Sequence, residues 1–116
     1  MITILPADKA FLDSIGAVPE TDAMVLRDSD GSVMGHAVFR MMGDTVELLS
    51  VTACEPLLVD GLIRSVLNTG DCRGAVTGLC RDEKLSLTLR RLEFEAGEDG
   101  YTVYIPHFLR GECHCK

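Results

Sequence analysis

The sequence predicts an α+β protein, a sandwich in which helices flank a mixed, mostly antiparallel central sheet. Its 116 residues, 47% apolar and 25% charged, fit one compact domain that can bury a core without cross-links. Three apolar runs joined by Gly and Asp turns predict an antiparallel meander. Apolar residues then recur at helical spacing, so the chain combines both kinds of element.

The N-terminal part is predicted to form a short strand followed by a helix. The apolar residues 2–5 suit a strand that ends before a proline. Asp8 suits a helix N-cap, because its carboxylate can accept a main-chain N–H of the first turn. Gly16 marks the end of that helix, and residues 17–22 are predicted to be a loop.

The next part carries the clearest strand signal. Residues 23–27, 33–41 and 45–51 are apolar runs with strand-like composition. Residues 28–31 and the Gly43-Asp44 pair between them have the composition of tight turns. The three runs are therefore predicted to be consecutive antiparallel strands.

After the third of these strands, the apolar residues change from a strand-like to a helical spacing. Pro56 is acceptable in the first turn of a helix, where its missing N–H would have had no partner. Residues 68–70, ending in a glycine, are predicted to end the helix. The predicted buried face is formed by apolar residues at three- and four-residue steps, namely Val59, Leu62, Ile63, Val66 and Leu67.

The last elements are a strand, a helix and a strand. Residues 74–80 are predicted to be a buried strand. Residues 85–92 contain leucines that fit either period, and their Lys, Arg and Glu content favours a helix. Residues 97–100 are a predicted turn, and residues 101–105 a final strand that ends before a proline.

The charge of the chain excludes some partners. Its 18 acidic residues outnumber 11 Lys and Arg, and the formal charge is −7 at pH 7. This charge repels phosphate backbones and argues against a nucleic-acid partner. No apolar run approaches the ~18 residues of a membrane span, and the N-terminus lacks a basic segment followed by an apolar signal core. We therefore expect a soluble cytoplasmic protein with no membrane partner.

Four segments carry a resemblance to a known family. They are GSVMGHAVF (31–39), VELLSV (46–51), LRRLEF (89–94) and YTVYI (101–105). They resemble the paired strands, the central strand, the late helix and the closing strand of the GNAT superfamily of acetyl-CoA-dependent N-acetyltransferases. With the order of elements, the resemblance covers residues 2–106 and implies a single GNAT-like domain over residues 1–106.

The resemblance implies an acyltransferase with acetyl-CoA as donor and a small-molecule amine or a lysine as acceptor. In that family one strand splays from its neighbour and offers main-chain groups to the pantetheine amides, and the next helix N-terminus receives the pyrophosphate. By resemblance, the cofactor-binding residues here are Leu49, Ser50 and Val51, followed by Gly61. The acidic excess would suit a cationic acceptor such as a polyamine, an amino sugar or a lysine side chain.

Four positions depart from the family pattern. Its phosphate motif, an Arg or Gln followed by Gly and then Gly or Ala, falls on Leu58, Gly61 and Ile63, of which only Gly61 fits. The tyrosine that often serves as general acid falls on Leu89, and a glycine of the late helix end falls on Glu93. Because of these departures, a GNAT-fold protein that has lost its catalytic activity is the alternative.

Acetyl transfer to an amine needs a group or a water chain that removes a proton. Glu47 is the predicted catalytic base, because alternation places it on the face opposite Val46 and Leu48. His36, also on the meander, is a second candidate. The alternatives are a solvated surface carboxylate and a hydrogen-bonded structural histidine.

The C-terminal tail, residues 107–116, concentrates soft metal ligands. Cys113, His114 and Cys115 are candidate zinc ligands, because sulfur and nitrogen donors suit a tetrahedral site. Their Cys-x-Cys spacing is shorter than that of usual structural zinc sites, and an exposed tail whose thiols oxidise is the alternative. All five cysteines are expected to be reduced thiols, because their number and spacing indicate no disulfide framework.

Three classes of function follow from the sequence. The first is a GNAT-like acyltransferase that uses acetyl-CoA, and the second is a catalytically inactive GNAT-fold protein for ligand binding or subunit interaction. The third is a metal- or redox-responsive module that acts through the tail. A homodimer is a further expectation, because Met41-Met42 and Phe108-Leu109 place apolar side chains near element ends.

Overall fold

The structure is a computed structural model that describes residues 2–108. Within that range one seven-stranded sheet has the strand order β1-β2-β3-β4-β5-β7-β6. The strands are β1 (Thr3–Pro6), β2 (Asp22–Arg27), β3 (Val33–Met42), β4 (Thr45–Ala53), β5 (Thr77–Cys80), β6 (Glu95–Gly97) and β7 (Gly100–Tyr104). The helices are α1 (Lys9–Ser14), α2 (Pro56–Cys72), α3 (Ser86–Arg91) and α4 (Ile105–Phe108).

The sheet is mixed and mostly antiparallel, as the sequence predicted. Strands β1 to β4 form an antiparallel meander, and β5, β7 and β6 pair antiparallel at the other side. The pair β4–β5 is parallel, because α2 carries the chain back across the sheet between them. The α+β fold class is confirmed.

Helices α2 and α3 pack on one face of the sheet around a single apolar core. Arg91 of α3 donates to the Asp60 carboxylate of α2 at 2.6 Å, which ties the two helices together. No helix in residues 2–108 is long and apolar enough to cross a membrane. The buried core side chains on this face include Met24, Leu26, Phe39, Val46, Leu48, Leu62, Ile63, Val66, Leu67, Leu89, Leu92 and Phe94.

The predicted end of α2 at residues 68–70 is wrong. The helix continues to Cys72, and Gly70 is buried inside it. A Cβ atom at Gly70 would lie 2.7 Å from Cγ1 of Val46, so the glycine permits close packing on β4 and does not end the helix. The helix ends after Cys72, with Arg73 as its C-cap and Gly74 following at φ +95°.

The short elements β6 and α4 were not predicted, and most strands have boundaries one to three residues from the predicted ones. β5 begins at Thr77, three residues later than expected, and the three-residue strand β6 was assigned to no element. β7 ends at Tyr104, because Ile105 begins the single turn α4. The N–H of Ile105 donates to the Val76 carbonyl at 2.9 Å, which holds that turn beside β5.

Helix α3 ends in a left-handed residue that is not glycine. Glu93 has φ +69°, its N–H donates to the Arg90 carbonyl, and the Phe94 N–H donates to the Leu89 carbonyl, each at 2.9 Å. These two hydrogen bonds form a Schellman motif, whose left-handed position strongly favours glycine. The Glu93 side chain is exposed, so no packing offsets the backbone strain.

We predict that Glu93→Gly raises the free energy of unfolding by about 0.5–1 kcal/mol, because glycine adopts this conformation without the steric cost. Equilibrium unfolding in urea measures the change. Glu95→Gly, in β6 where φ is not positive, is the matched control and should lower stability. A destabilised Glu93→Gly protein would contradict the prediction.

Candidate functional site

Strand β4 extends beyond its parallel partner β5. The parallel ladder runs from Thr45 opposite Thr77 to Leu48 opposite Cys80, the last residue of β5. β4 continues for five more residues to Ala53, paired with β3 alone. We call this place, where β4 runs on without β5 beyond Leu48, the fork.

A β-bulge lies at the start of the fork. Val38 of β3 pairs with Ser50, whereas the next residue, Phe39, pairs with Leu48, so Leu49 is the extra residue of β4. A bulge bends its strand and increases the local twist. The extra residue also shifts the alternation of side chains between the two faces of the sheet, so that Leu48 and Val51 both pack on the face that α2 covers. The bend therefore coincides with the residue at which β4 leaves β5.

The main chain of Val51 faces the open side of the fork. The N–H of Cys54 donates to the Met34 carbonyl at 2.9 Å, which makes Ala53 a member of a non-hydrogen-bonded antiparallel pair. Such pairs alternate with bonded ones, so Thr52 bonds to β3 and Val51 does not. The N–H and C=O of Val51 therefore point away from β3, and within residues 2–108 they have no main-chain partner there.

The N-terminus of α2 follows the fork after two residues. Glu55 is the N-cap, with extended backbone and no side-chain cap hydrogen bond, and Pro56 is the first helical residue. Pro56 has no N–H, and the N–H of Leu58 donates to the Glu55 carbonyl at 3.1 Å. Leu57 thus supplies the first-turn N–H that remains for an anion, with the Glu55 carboxylate nearby.

The other residues of the expected phosphate motif lie inside α2. Gly61 is in the second turn, where a Cβ would meet Cδ1 of Ile4 at an ordinary 3.6 Å, and its role in cofactor binding stays a prediction. Ile63 is 1% exposed and belongs to the core, and Leu58 packs against that core. The two apolar residues therefore serve packing on the sheet.

Glu47 is buried on the sheet face opposite α2. It is 4% exposed, and among residues 2–106 it is the one buried charged side chain. Nε and Nη2 of Arg40 donate to its Oε1 at 3.0 and 2.8 Å, and Nε of Arg81 lies 3.9 Å from its Oε2. Glu47 is thus a paired carboxylate beneath two arginines and not a solvated one.

The two arginines were not identified from the sequence, although one of them left a signal. The Gly43-Asp44 loop has two residues, and Gly43 has φ +61°, so the hairpin register places Arg40 directly opposite Glu47. A single arginine in an apolar strand, opposite a single glutamate, indicates a cross-strand ion pair. Arg81 had no such signal, because it reaches Glu47 only through the parallel pairing of β5.

His36 lies on the same face as Glu47 but apart from it. Its neighbours Gly35 and Ala37 face α2, so the His36 ring points the other way, where it meets the Phe11 ring of α1 edge-on at 5.5 Å. Partial burial lowers the pKa of His36. Arg40, which pairs with Glu47, lies four positions further along β3, roughly 13 Å away. The two candidate bases are therefore not brought together.

The predicted zinc ligands Cys113, His114 and Cys115 lie outside the described residues. In the described part of the chain no group of three His, Cys, Asp or Glu side chains is placed to hold a metal ion. Cys54 and Cys80 are free thiols, and burial raises the pKa of Cys80. Cys72 is disulfide-bonded, so the expectation that every cysteine is reduced is wrong at that position.

We predict that Arg40→Met destabilises the protein by about 2 kcal/mol, because the buried Glu47 carboxylate loses two charged hydrogen bonds. Glu47→Gln should cost less, about 1 kcal/mol, since the amide oxygen still accepts from Arg40, which can also be hydrated. The control is Arg73→Met, which breaks an exposed ion pair to Asp22 and should cost below about 1 kcal/mol. Urea unfolding checks the order, and equal losses for Arg40→Met and Arg73→Met would refute it.

Solved structures of acetyltransferases are similar to this chain over most of its length. The ribosomal-protein-S18-alanine N-acetyltransferase of Escherichia coli has a TM-score of 0.71 and 13% identity, covering 90% of this chain and 94% of that one. An acetyltransferase of Bacillus subtilis in complex with CoA has a TM-score of 0.64 and 15% identity, covering 82% of this chain and 77% of that one. Tetrahymena GCN5 has a TM-score of 0.62 and 11% identity, covering 84% of this chain and 76% of that one.

Sequence comparison adds nothing to this likeness, since no family model and no curated protein sequence matches the chain. At 11–15% identity the structural likeness rests on the arrangement of the elements. Another of the similar structures is an acetyltransferase assigned to the GNAT family, from Desulfovibrio desulfuricans, with a TM-score of 0.64. The chain, with its mixed seven-stranded sheet, has the fold of the GNAT N-acetyltransferases.

Proposed function

We propose that this protein is an N-acyltransferase that transfers the acetyl group of acetyl-CoA to a small amine. The observation that carries the proposal is the open main chain of Val51 at the fork. The fold is that of acetyltransferases, and the similar Bacillus subtilis structure is a complex with CoA. The fork is therefore the proposed site of the acyl donor.

The exposed edge of β4 suits the pantetheine arm of CoA. That arm is extended and carries amides, which need both donors and acceptors, and Val51 offers one of each in strand geometry. Leu49 and Ser50 lie at the β-bulge where the fork begins. These three residues are the proposed contacts. The pyrophosphate would meet the N-terminus of α2, where the N–H of Leu57 is a donor.

The reaction requires the transfer of a proton as well as of the acyl group. The amine nitrogen attacks the acetyl carbonyl carbon, so that a C–N bond forms and the C–S bond breaks. The nitrogen loses one proton, and the departing sulfur gains one to give an amide and a thiol. Glu47 is the proposed proton acceptor through Oε2, because Oε1 already accepts two N–H groups of Arg40.

A ligand-binding protein without turnover is the second candidate. Leu89 stands where the resemblance expects a tyrosine acid, and it is fully buried in the core. Helix α3 therefore offers no phenol at that position to protonate the sulfur. Acetyl-CoA binding without acetyl transfer to any amine would favour this candidate.

We predict that acetyl-CoA at one hundred times its dissociation constant stabilises the protein by about 2.7 kcal/mol. The melting temperature should then rise on the order of 10 °C. Thermal unfolding with acetyl-CoA, free CoA and ATP measures the effect, and ATP controls for binding through the adenine and phosphates alone. The absence of any shift at millimolar acetyl-CoA would reject the proposal.

Proline substitutions test whether the ligand lies on Val51. Val51→Pro removes an N–H that points into the fork and spares the ladder to β3, so it should weaken acetyl-CoA binding at least tenfold with a modest loss of stability. Thr52→Pro removes an N–H bonded to β3 and should mainly destabilise the fold. In parallel, the Val51 amide should show one of the largest NMR shifts on titration with acetyl-CoA. An unmoved Val51 amide would contradict the proposed position.

A further inference from the structure

Two guanidinium groups share one carboxylate at the fork. The formal net charge of the chain is −7, yet Arg40 and Arg81 both pair with Glu47. The one carboxylate therefore cannot occupy the donors of both arginines. Glu47 lies one residue before the end of the β4–β5 ladder, and Arg81 is the first residue after it. The cluster therefore stands at the apex of the fork.

The two guanidinium groups are more exposed than the carboxylate that they share. The side chains of Arg40 and Arg81 are 42% and 56% exposed, whereas that of Glu47 is buried beneath them. Arg40 uses Nε and Nη2 on Glu47, and Arg81 makes one long ion pair at 3.9 Å. Because each guanidinium has five N–H donors, most donors remain for a ligand.

The two acidic residues that follow Arg81 in the chain are engaged by other groups. The Asp82 carboxylate accepts the main-chain N–H of Lys84 at 3.0 Å, and the Glu83 carboxylate accepts the Tyr101 hydroxyl at 3.5 Å. Among residues 2–108, Glu47 is the one carboxylate in an ion pair with Arg81. The N–H donors of Arg81 that Glu47 does not engage are thus available to an anion from solution.

We propose that the acyl acceptor is a small amine that also carries a carboxylate, in the class of free amino acids. Arg81, assisted by Arg40, would bind the carboxylate, because a guanidinium matches its two oxygens in a planar, bidentate geometry. The amine would then lie toward the fork. This inference rests on the proposed acyltransferase function and names its acceptor class. It replaces the cationic acceptor that the net charge of the chain suggested.

Matched acceptor pairs test the proposal. Acetylation of a series of L-amino acids is compared with that of their α-carboxamides and of spermidine, using acetyl-CoA and detection of products by mass. The amino acid and its carboxamide differ in the carboxylate, and we expect kcat/KM to favour the acid at least tenfold. A preference for the carboxamides or for spermidine would overturn the proposal.

Variants of Arg81 connect that preference to the site. Arg81→Gln should raise KM at least tenfold for the acid and leave the carboxamide within about twofold, and Arg81→Lys should recover part of the loss. Arg73→Gln is the control, since Arg73 is as exposed as Arg40 but pairs with Asp22 at the far end of α2. An equal loss for acid and carboxamide in Arg81→Gln would make Arg81 a structural residue and reject the proposal.

Failure of the proposed function can be told apart from failure of this inference. If acetyl-CoA neither binds nor reacts, the acyltransferase proposal is wrong, and calorimetric titration of the amino acids and carboxamides alone decides about the arginine site. Binding of the acid that Arg81→Gln weakens tenfold would support a carboxylate site. If acetyl-CoA binds but neither an amino acid reacts nor its titration shows binding, the inference alone is wrong.

Discussion

The close contact of α2 with the β4–β5 pair is the constraint on which the fork depends. Val46 and Gly78 are paired across the two strands. A Cβ at Gly70 of α2 would lie 2.7 Å from Val46, and a Cβ at Gly78 would lie 2.5 Å from Cδ2 of Leu67, also on α2. Because Gly70 and Gly78 have no side chains, α2 can pack closely on the paired part of β4 and β5. A side chain at either glycine would lift the helix and disturb the core beneath it.

This contact also brings the parts of the site to one edge of the sheet. β4 and β5 run parallel, so the chain must cross from the end of one strand to the start of the other, and α2 makes that crossing. From Gly70 back to Pro56 the helix spans about 21 Å at 1.5 Å per residue. Its N-terminus therefore follows directly on the free end of β4. The bulge at Leu49 bends the strand at the start of that end.

Local patterns predicted the elements, and tertiary contacts explain what those patterns missed. The apolar runs of β2 to β4 and the helical spacing of apolar residues after them predicted the sheet and α2, because such patterns indicate which side chains are buried. Gly70 looked like a helix end because the reason for it, Val46, lies 24 residues away. The pairing of Arg40 with Glu47 could have been predicted from the hairpin register. The contact of Arg81 with Glu47 could not, because it depends on the pairing of β5 with β4, which no local pattern indicates.

The acceptor proposed for the fork depends on local groups and not on the net charge of the chain. At physiological ionic strength exposed charges act over about 8 Å, so a ligand at the fork interacts mainly with groups in its immediate neighbourhood. Those groups include Arg40, Arg81 and Glu47, whose Oε1 Arg40 already engages. The neighbouring Asp82 and Glu83 carboxylates accept hydrogen bonds from other groups. The proposed carboxylate site therefore rests on the directional N–H donors that the two arginines retain.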